Sequence, residues 1–271
     1  MAKISILGCG WLGMPLAKAL VANGFEIKGS TTSIGKLEGL ENLGIQPYRI
    51  ALSEDAIQGD IDSFLAHAEI LIIDIPPKLR GVEKENFVAK MEVLVPFIEK
   101  AKIAKVLFIS STSVYADTNE RITENTIPMP ETEAGKQLVA AELLLQNNQN
   151  FQTTILRFGG LIGENRHPIY FLSGKKNIEN PEAPINLIHQ KDCIGIISKI
   201  IQKDCWGAVF NGVAPFHPTR KAYYTALAKQ LSLPEPEFNE TGSSVGKTIL
   251  SEKVKADLDY TFLWDGKASL I

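Results

Sequence analysis

The stretch that most constrains this chain is its first thirty or so residues. A short apolar run, Ile4-Ser5-Ile6-Leu7, opens directly onto Gly8-Cys9-Gly10-Trp11-Leu12-Gly13 and then onto a segment where Leu12, Leu16, Ala19 and Leu20 recur at helical spacing. Asn23-Gly24 stops that helix, and Phe25-Glu26-Ile27-Lys28 begins a second strand. Strand, glycine turn, helix and strand within about thirty residues make up one half of a dinucleotide-binding sheet. In such a unit Gly8 makes the tight turn, Gly10 lets backbone N–H groups approach a pyrophosphate, and Gly13 lets the helix press on the strand, with Trp11 and Leu12 completing the loop. The anion then rests on the positive end of the helix. The competing reading is a glycine turn that binds nothing, and the complete βαβ context weighs against it.

The rest of the chain continues the alternation. A short helix is expected from Ser33 to Leu43, a strand from Gln46 to Ile50, and a broken helical stretch over residues 54–67. Ile70-Leu71-Ile72-Ile73-Asp74-Ile75 is a continuous apolar run broken by one carboxylate, the pattern of a parallel strand covered on both faces, and Pro76-Pro77 ends it. Phe87, Met91, Leu94, Val95 and Ile98 mark a long amphipathic helix. Val106 to Ile109 is another buried strand, Leu138, Ala141 and Leu145 mark a helix, and Thr154 to Leu156 a further strand. Parallel strands need crossover helices, so the pattern predicts an α/β, doubly wound Rossmann sheet with helices on both faces. Residues 1–158 are expected to form the NAD(P)-binding domain. From Gly159 the pattern shortens, with a strand near Ile185 to Ile188, a helix from Lys191 to Gln202, a strand near Val209 and a helix from Thr219 to Leu231. Residues 159–271 are therefore expected to form a small substrate-side lobe that returns elements to the same fold.

Composition narrows the partners. A net charge of −3 offers no basic stripe to displace phosphate counterions, which argues against nucleic acid and for a small-molecule ligand. Cys9, Cys193 and Cys205 are odd in number and lack C-x-x-C spacing, and His67, His167, His189 and His217 are scattered, so no disulfide framework or metal site is expected. No segment reaches transmembrane length and the N-terminus does not read as a signal peptide, so the expectation is a cytoplasmic protein without membrane partners. Oligomeric state is not legible.

A second constellation stands at the carboxyl end of the Val106–Ile109 strand: Ser110-Ser111-Thr112-Ser113-Val114-Tyr115. Hydroxyls at the mouth of a parallel sheet can hydrogen-bond a ligand oxygen, or they can cap a loop; the residues alone leave the two even. Here the chain resembles the extended short-chain dehydrogenase/reductase superfamily, in particular the nucleotide-sugar epimerase/dehydratase group. Ser-Ser-x-x-Val-Tyr is similar to that family's active-site serine segment. Ile155 to Gly163 resembles its sixth strand and exit loop, Ile185 to Asp192 its Val-His-x-x-Asp block, and Phe210-Asn211-Gly212 its later Phe-Asn-x-Gly element. The resemblance implies that Ser111 is the catalytic serine and that Lys136 is the lysine that holds the nicotinamide ribose and lowers the pKa of a catalytic tyrosine. That tyrosine's position is Thr132, whose hydroxyl has no pKa near neutrality for a lysine to exploit. With its GxGxxG loop, one residue shorter than usual, the chain is similar to an atypical subgroup of the superfamily. Tyr115 and Tyr170 are the nearest phenols by placement.

The end of the second strand carries Ser30-Thr31-Thr32-Ser33 and then Lys36, where NAD-binding folds place a carboxylate. Hydroxyls and an ammonium suit the extra phosphate of NADP, which favours NADP over NAD; a polar loop capping the next helix is the alternative. Lys78 and Arg80 read as solvated loop charges more readily than as ligand contacts, and Arg157, ending an apolar strand, calls for a partner. Three functions remain at this stage: an NAD(P)-dependent oxidoreductase or epimerase with altered catalytic residues, a non-catalytic dinucleotide-binding sensor or interaction module, and a β-hydroxyacid-type dehydrogenase. The last wants a long all-helical second domain, which the short mixed segments after Gly159 oppose.

Overall fold

The computed structural model describes residues 2–77 and 85–266. Among them, seven strands form one parallel sheet: β1 (Lys3–Leu7), β2 (Glu26–Thr31), β3 (Gln46–Arg49), β4 (Ile70–Ile73), β5 (Lys105–Ser111), β6 (Gln152–Phe158) and β7 (Val209–Gly212). Their order is β7-β6-β5-β4-β1-β2-β3. The chain runs outward from β1 to β3, crosses back to β4 on the other side of β1, and then runs outward the other way. The crossover makes the carboxyl ends of β1 and β4 the switch point where such sheets bind ligands.

Period-two alternation sends successive side chains of each strand to opposite faces. Ile4 and Ile6 of β1, Ile70 and Ile72 of β4, and Leu107 and Ile109 of β5 enter one core, which is closed by helix α1 (Gly13–Ala22) through Leu16 and Leu20. Leu71 and Ile73 of β4 and Val106 and Phe108 of β5 enter the other core. The registers Ile4↔Ile70, Ile6↔Ile72 and Leu71↔Val106 keep like-facing residues side by side. This explains the continuous apolar runs in the sequence: both faces of these strands are covered.

Beyond β2 the chain makes a short 3-10 turn at Ile34–Lys36 and a one-turn helix, α2 (Leu37–Glu41), so the expected Ser33–Leu43 helix is real but broken. Of the stretch 54–67 expected to be a broken helix, only α3 (Ile61–Leu65) is helical; Ile57–Gln58 pairs instead as a strand antiparallel to Ala51–Leu52. Two local features decide it. Ser53 and Ala56 close a turn through mutual hydrogen bonds. Gly59, at φ +104°, then bends the chain into α3, whose N-cap Asp60 accepts from Ser63 N at 2.9 Å.

Helix α4 (Phe87–Lys100) and α5 (Glu133–Gln146) cover the second core through Met91, Leu94 and Ile98 and through Leu138, Ala141 and Leu145. After α6 (Ile169–Leu172), α7 (Gln190–Gln202) returns to the first core beside α1, placing Ile196, Ile197 and Ile200 there. The segments after Gly159 also build a third cluster, with Ile162, Ile185 and Leu187 packed on Tyr223, Tyr224 and Leu227 of α8 (Arg220–Gln230) and on Trp264. Its small parallel pair joins Gly160–Ile162 to Leu187–His189. Finally α9 (Glu252–Leu258) puts Val254 and Leu258 back into the first core. No helix among the described residues is long and apolar enough to cross a membrane.

Candidate functional site

The three glycines of the first loop do different work. Gly8 has φ +109°, and a Cβ on it would stand 2.3 Å from the Asp74 carbonyl oxygen. A Cβ on Gly13 would stand 2.2 Å from the Gly8 carbonyl oxygen. Gly8 is demanded by its positive φ and the close approach of the chain leaving β4, and Gly13 by the close approach of α1 to the loop. A Cβ on Gly10 would meet nothing within 4 Å, so the fold itself leaves the space above this residue open. The loop is fixed from β2, since Gly8 N donates to Ser30 Oγ at 3.0 Å and Cys9 N to the Ser30 carbonyl at 2.7 Å. Ser30 is therefore buried with its hydroxyl engaged, whereas Thr32 and Lys36 are exposed.

A crevice runs over this loop in two halves that share Gly10, Asp74, Ile75 and Pro76. One half, a cavity of about 210 Å³, is bordered by Gly8, Ser30, Thr31, Thr32 and Lys36 from the β1 and β2 ends. Lys90 of α4 also borders it, paired with Glu85. The other half, about 320 Å³, is bordered by Trp11, Leu12, Ser110, Ser111, Leu138, Leu161 and Arg166. The sequence-predicted residues of the glycine loop, the β2 end and the serine segment thus meet around one crevice, with Gly13 buried beneath it.

Lys136 and Thr132 border neither half. Lys136 is exposed on the first turn of α5. Thr132 is the N-cap of that helix, with its hydroxyl accepting from Gly135 N at 3.1 Å. Gly135 brings α5 against the serine segment, for a Cβ there would lie 2.5 Å from the Ser113 carbonyl oxygen. Ser111 Oγ accepts from Ser113 N at 3.2 Å, capping the turn Thr112–Val114 while remaining half-buried at the crevice wall. The capping reading of the serine cluster holds for this residue, which also stands at the crevice wall. Lys78 and Arg80, read as solvated loop charges more readily than as ligand contacts, lie outside the described residues.

Behind the serine segment is a closed polar network. Arg157 of β6 donates through Nε and Nη2 to the Glu142 carboxylate of α5, with Nη2–Oε2 at 2.5 Å, and through Nη1 to Tyr115 Oη at 2.6 Å. Tyr115 Oη donates to Asn211 Oδ1 at 3.0 Å, and Ser110 Oγ to Glu142 Oε1 at 2.5 Å. The partner that Arg157 called for is Glu142. Burial pushes the Tyr115 phenol up despite the Arg157 charge beside it, and Tyr115 borders neither half of the crevice, its hydroxyl being held between Arg157 and Asn211. Tyr170, on α6, is exposed.

Two crevice residues went unread in the sequence. Asp74 follows β4 and borders both halves. Burial pushes its carboxyl up to about 7, against the lowering influence of the Gly13 N–H and the Arg166 charge. A lone carboxylate closing an apolar strand was the available signal. Arg166 comes from the loop after Gly163 and lies over the Trp11 ring, 4.6 Å from its centroid. Gln190 Nε2 reaches back to donate to the Trp11 carbonyl at 2.6 Å, so the lobe is tied to the glycine loop at this residue.

A parallel sheet in this order, with a glycine loop and crevice at its switch point, defines a Rossmann-type doubly wound fold. UDP-glucuronic acid 4-epimerase from Bacillus cereus, solved with UDP-glucuronic acid and NAD, superposes with a TM-score of 0.80 at 18% identity, over 97% of this chain and 95% of that one. A conserved protein of unknown function from Silicibacter pomeroyi superposes with a TM-score of 0.79 at 21% identity, over 97% and 94%. No protein-family model matches the chain. It is 34% identical over 265 residues to Protein YeeZ of Escherichia coli K12, covering 97% of this chain and 96% of that protein, and it belongs to the YeeZ family.

Proposed function

We propose that the protein binds a nicotinamide dinucleotide, NADP(H) in preference to NAD(H), and acts as an oxidoreductase or epimerase on a small, nucleotide-sugar-like substrate with altered catalytic residues. The observation that carries this reading is the open space above Gly10, at the sheet's switch point, where the fold gives no other reason for a glycine. The N-terminus of α1 supports it, having no capping side chain and no acidic residue in its first turn. The solved relatives, among them the epimerase with NAD and UDP-glucuronic acid, support the same class of ligands.

In this reading Gly8, Gly10, Trp11, Leu12 and Gly13 cradle the diphosphate, and Ser30, Thr31, Thr32 and Lys36 surround the adenosine ribose. A carboxylate there would repel a 2′-phosphate; β2 ends instead in hydroxyls with an ammonium nearby. The dinucleotide supplies hydride chemistry when bound. Ser111 holds a substrate oxygen on the other side of the crevice. Lys136, by the resemblance, would hold the nicotinamide ribose, and Thr132 keeps to its capping role. Residues 1–158 supply the cofactor side, and Leu161 and Arg166 from the segment after residue 158 join Trp11 and Ser111 on the substrate side.

Calorimetric titration with NADPH and NADH tests the proposal, with tighter NADPH binding expected. Binding of neither cofactor removes it, and a preference for NADH removes the assignment of the β2 end. A sensor without turnover is the second reading, favoured by the capped Thr132 hydroxyl. Hydride exchange in Thr132→Tyr but not in wild type, with UDP-sugars as probes, would select it.

A further inference from the structure

The substrate-side half of the crevice holds one cation, Arg166, among its described lining residues. Its guanidinium is spread over the Trp11 indole, 4.6 Å from the ring centroid, and Trp11 is itself held by Gln190 and packed on Gly163, where a Cβ would stand 3.0 Å from the indole. The stack gives the planar fork a platform at the tip of the glycine loop. Among the described residues no carboxylate pairs with this guanidinium within 4.0 Å, and none of its N–H groups is taken up in a hydrogen bond. Backbone bonds between Arg166 and Gly163, at 2.9 Å in both directions, pin the turn that carries it.

We infer that Arg166 is an anion-binding residue of the crevice, closing from the lobe over the glycine loop onto a phosphate or carboxylate group of the bound ligand. Three features meet at that point. The donors of Arg166 are oriented yet uncommitted among the described residues, the N-terminus of α1 carries no side-chain cap, and Leu138, Leu161 and Ile109 form an apolar wall that strengthens a charge contact. The one carboxylate among the described lining residues, Asp74, is held partly neutral by its burial, so it competes weakly for the guanidinium. A planar fork on an aromatic platform suits two oxygens of a phosphate or carboxylate. The ligand's identity rests on the function proposed above; the anion site does not.

The anion is either the diphosphate of the dinucleotide or an acidic group of the substrate, and binding measurements separate the two. Wild type, Arg166→Ala and Arg166→Lys are titrated with NADPH, with inorganic pyrophosphate, and with UDP-glucuronic acid in the presence of saturating NADP. Circular dichroism confirms that the exposed substitution leaves the fold intact. Loss of affinity for NADPH and pyrophosphate by about ten- to a hundredfold in Arg166→Ala assigns the cofactor diphosphate. A loss confined to UDP-glucuronic acid assigns the substrate. In either case Arg166→Lys recovers only part of the affinity, because an ammonium lacks the planar fork. Wild type that binds pyrophosphate through Arg166 but not NADPH upholds the site while removing the cofactor reading. Affinities equal in wild type and Arg166→Ala for all three probes, or no binding of any by wild type, overturn the inference.

Discussion

At the scale of single residues, Gly10 and Gly13 stand three positions apart and answer to different constraints. Gly13 supports the fold: a side chain would run into the Gly8 carbonyl. Gly13→Val should therefore lower the melting temperature sharply or prevent folding. Gly10 has open space, so Gly10→Val should melt close to wild type yet lose NADPH binding, because its methyl groups occupy the diphosphate's path. Paired thermal melts and titrations check this contrast. Asp74 gives a second prediction. Its carboxyl ionises near pH 7 in the folded protein against 3.8 for an unburied one, because burial disfavours the charge. The folded state then holds a proton that the unfolded state releases, so stability falls as pH rises from about 4 to about 7. Asp74→Asn should flatten that slope in urea denaturation. It should also remove a weakening of NADPH binding above about pH 7, since an ionised Asp74 repels the diphosphate.

At the scale of elements, β5, β6 and α5 are joined by the buried Arg157–Glu142 pair, with Ser110 and Tyr115 bonded to its two ends. The pair shows 6% and 2% side-chain exposure, which makes leaving one charge unpartnered the dominant cost. Glu142→Leu should lose about 3–5 kcal/mol in chemical denaturation, and Glu142→Leu with Arg157→Met should recover much of it. A single variant as stable as wild type would show the pair to be dispensable. The network also explains why, of Ser110 and Ser111 at the crevice border, Ser111 is the one whose hydroxyl lies outside the buried network, and why Tyr115 does not border the crevice. The Ser110 and Tyr115 hydroxyls are committed to Glu142 and to Arg157 and Asn211.

At the scale of the whole molecule, the segments after Gly159 build a third cluster of their own and also return to the first core. β7 extends the sheet, α7 and α9 bury Ile196, Ile200, Val254 and Leu258 in the same cluster as α1, and Asp192 accepts from Tyr260 Oη and from Leu263 and Trp264 N–H. Shared burial couples the parts, so urea denaturation followed by far-ultraviolet dichroism and by tryptophan fluorescence should give one coincident transition. Separate transitions for residues 1–158 and 159–271 would contradict this. The sequence by itself determined the strands, their parallel pairing and the glycine loop, because apolar runs, helical spacing and glycine positions act within a few residues of chain. It misread residues 54–67, where Ser53 and Gly59 impose turns on a weak helical pattern. Only the tertiary structure decided the membership of the crevice. Asp74 and Arg166, 92 positions apart, meet there because β4 ends at the switch point and the lobe folds back over the glycine loop, while Thr132 and Lys136 fall outside its border because α5 turns them to its capped, solvent-facing end. Side-chain direction across distant elements has no local signature, and the crevice is made of such directions.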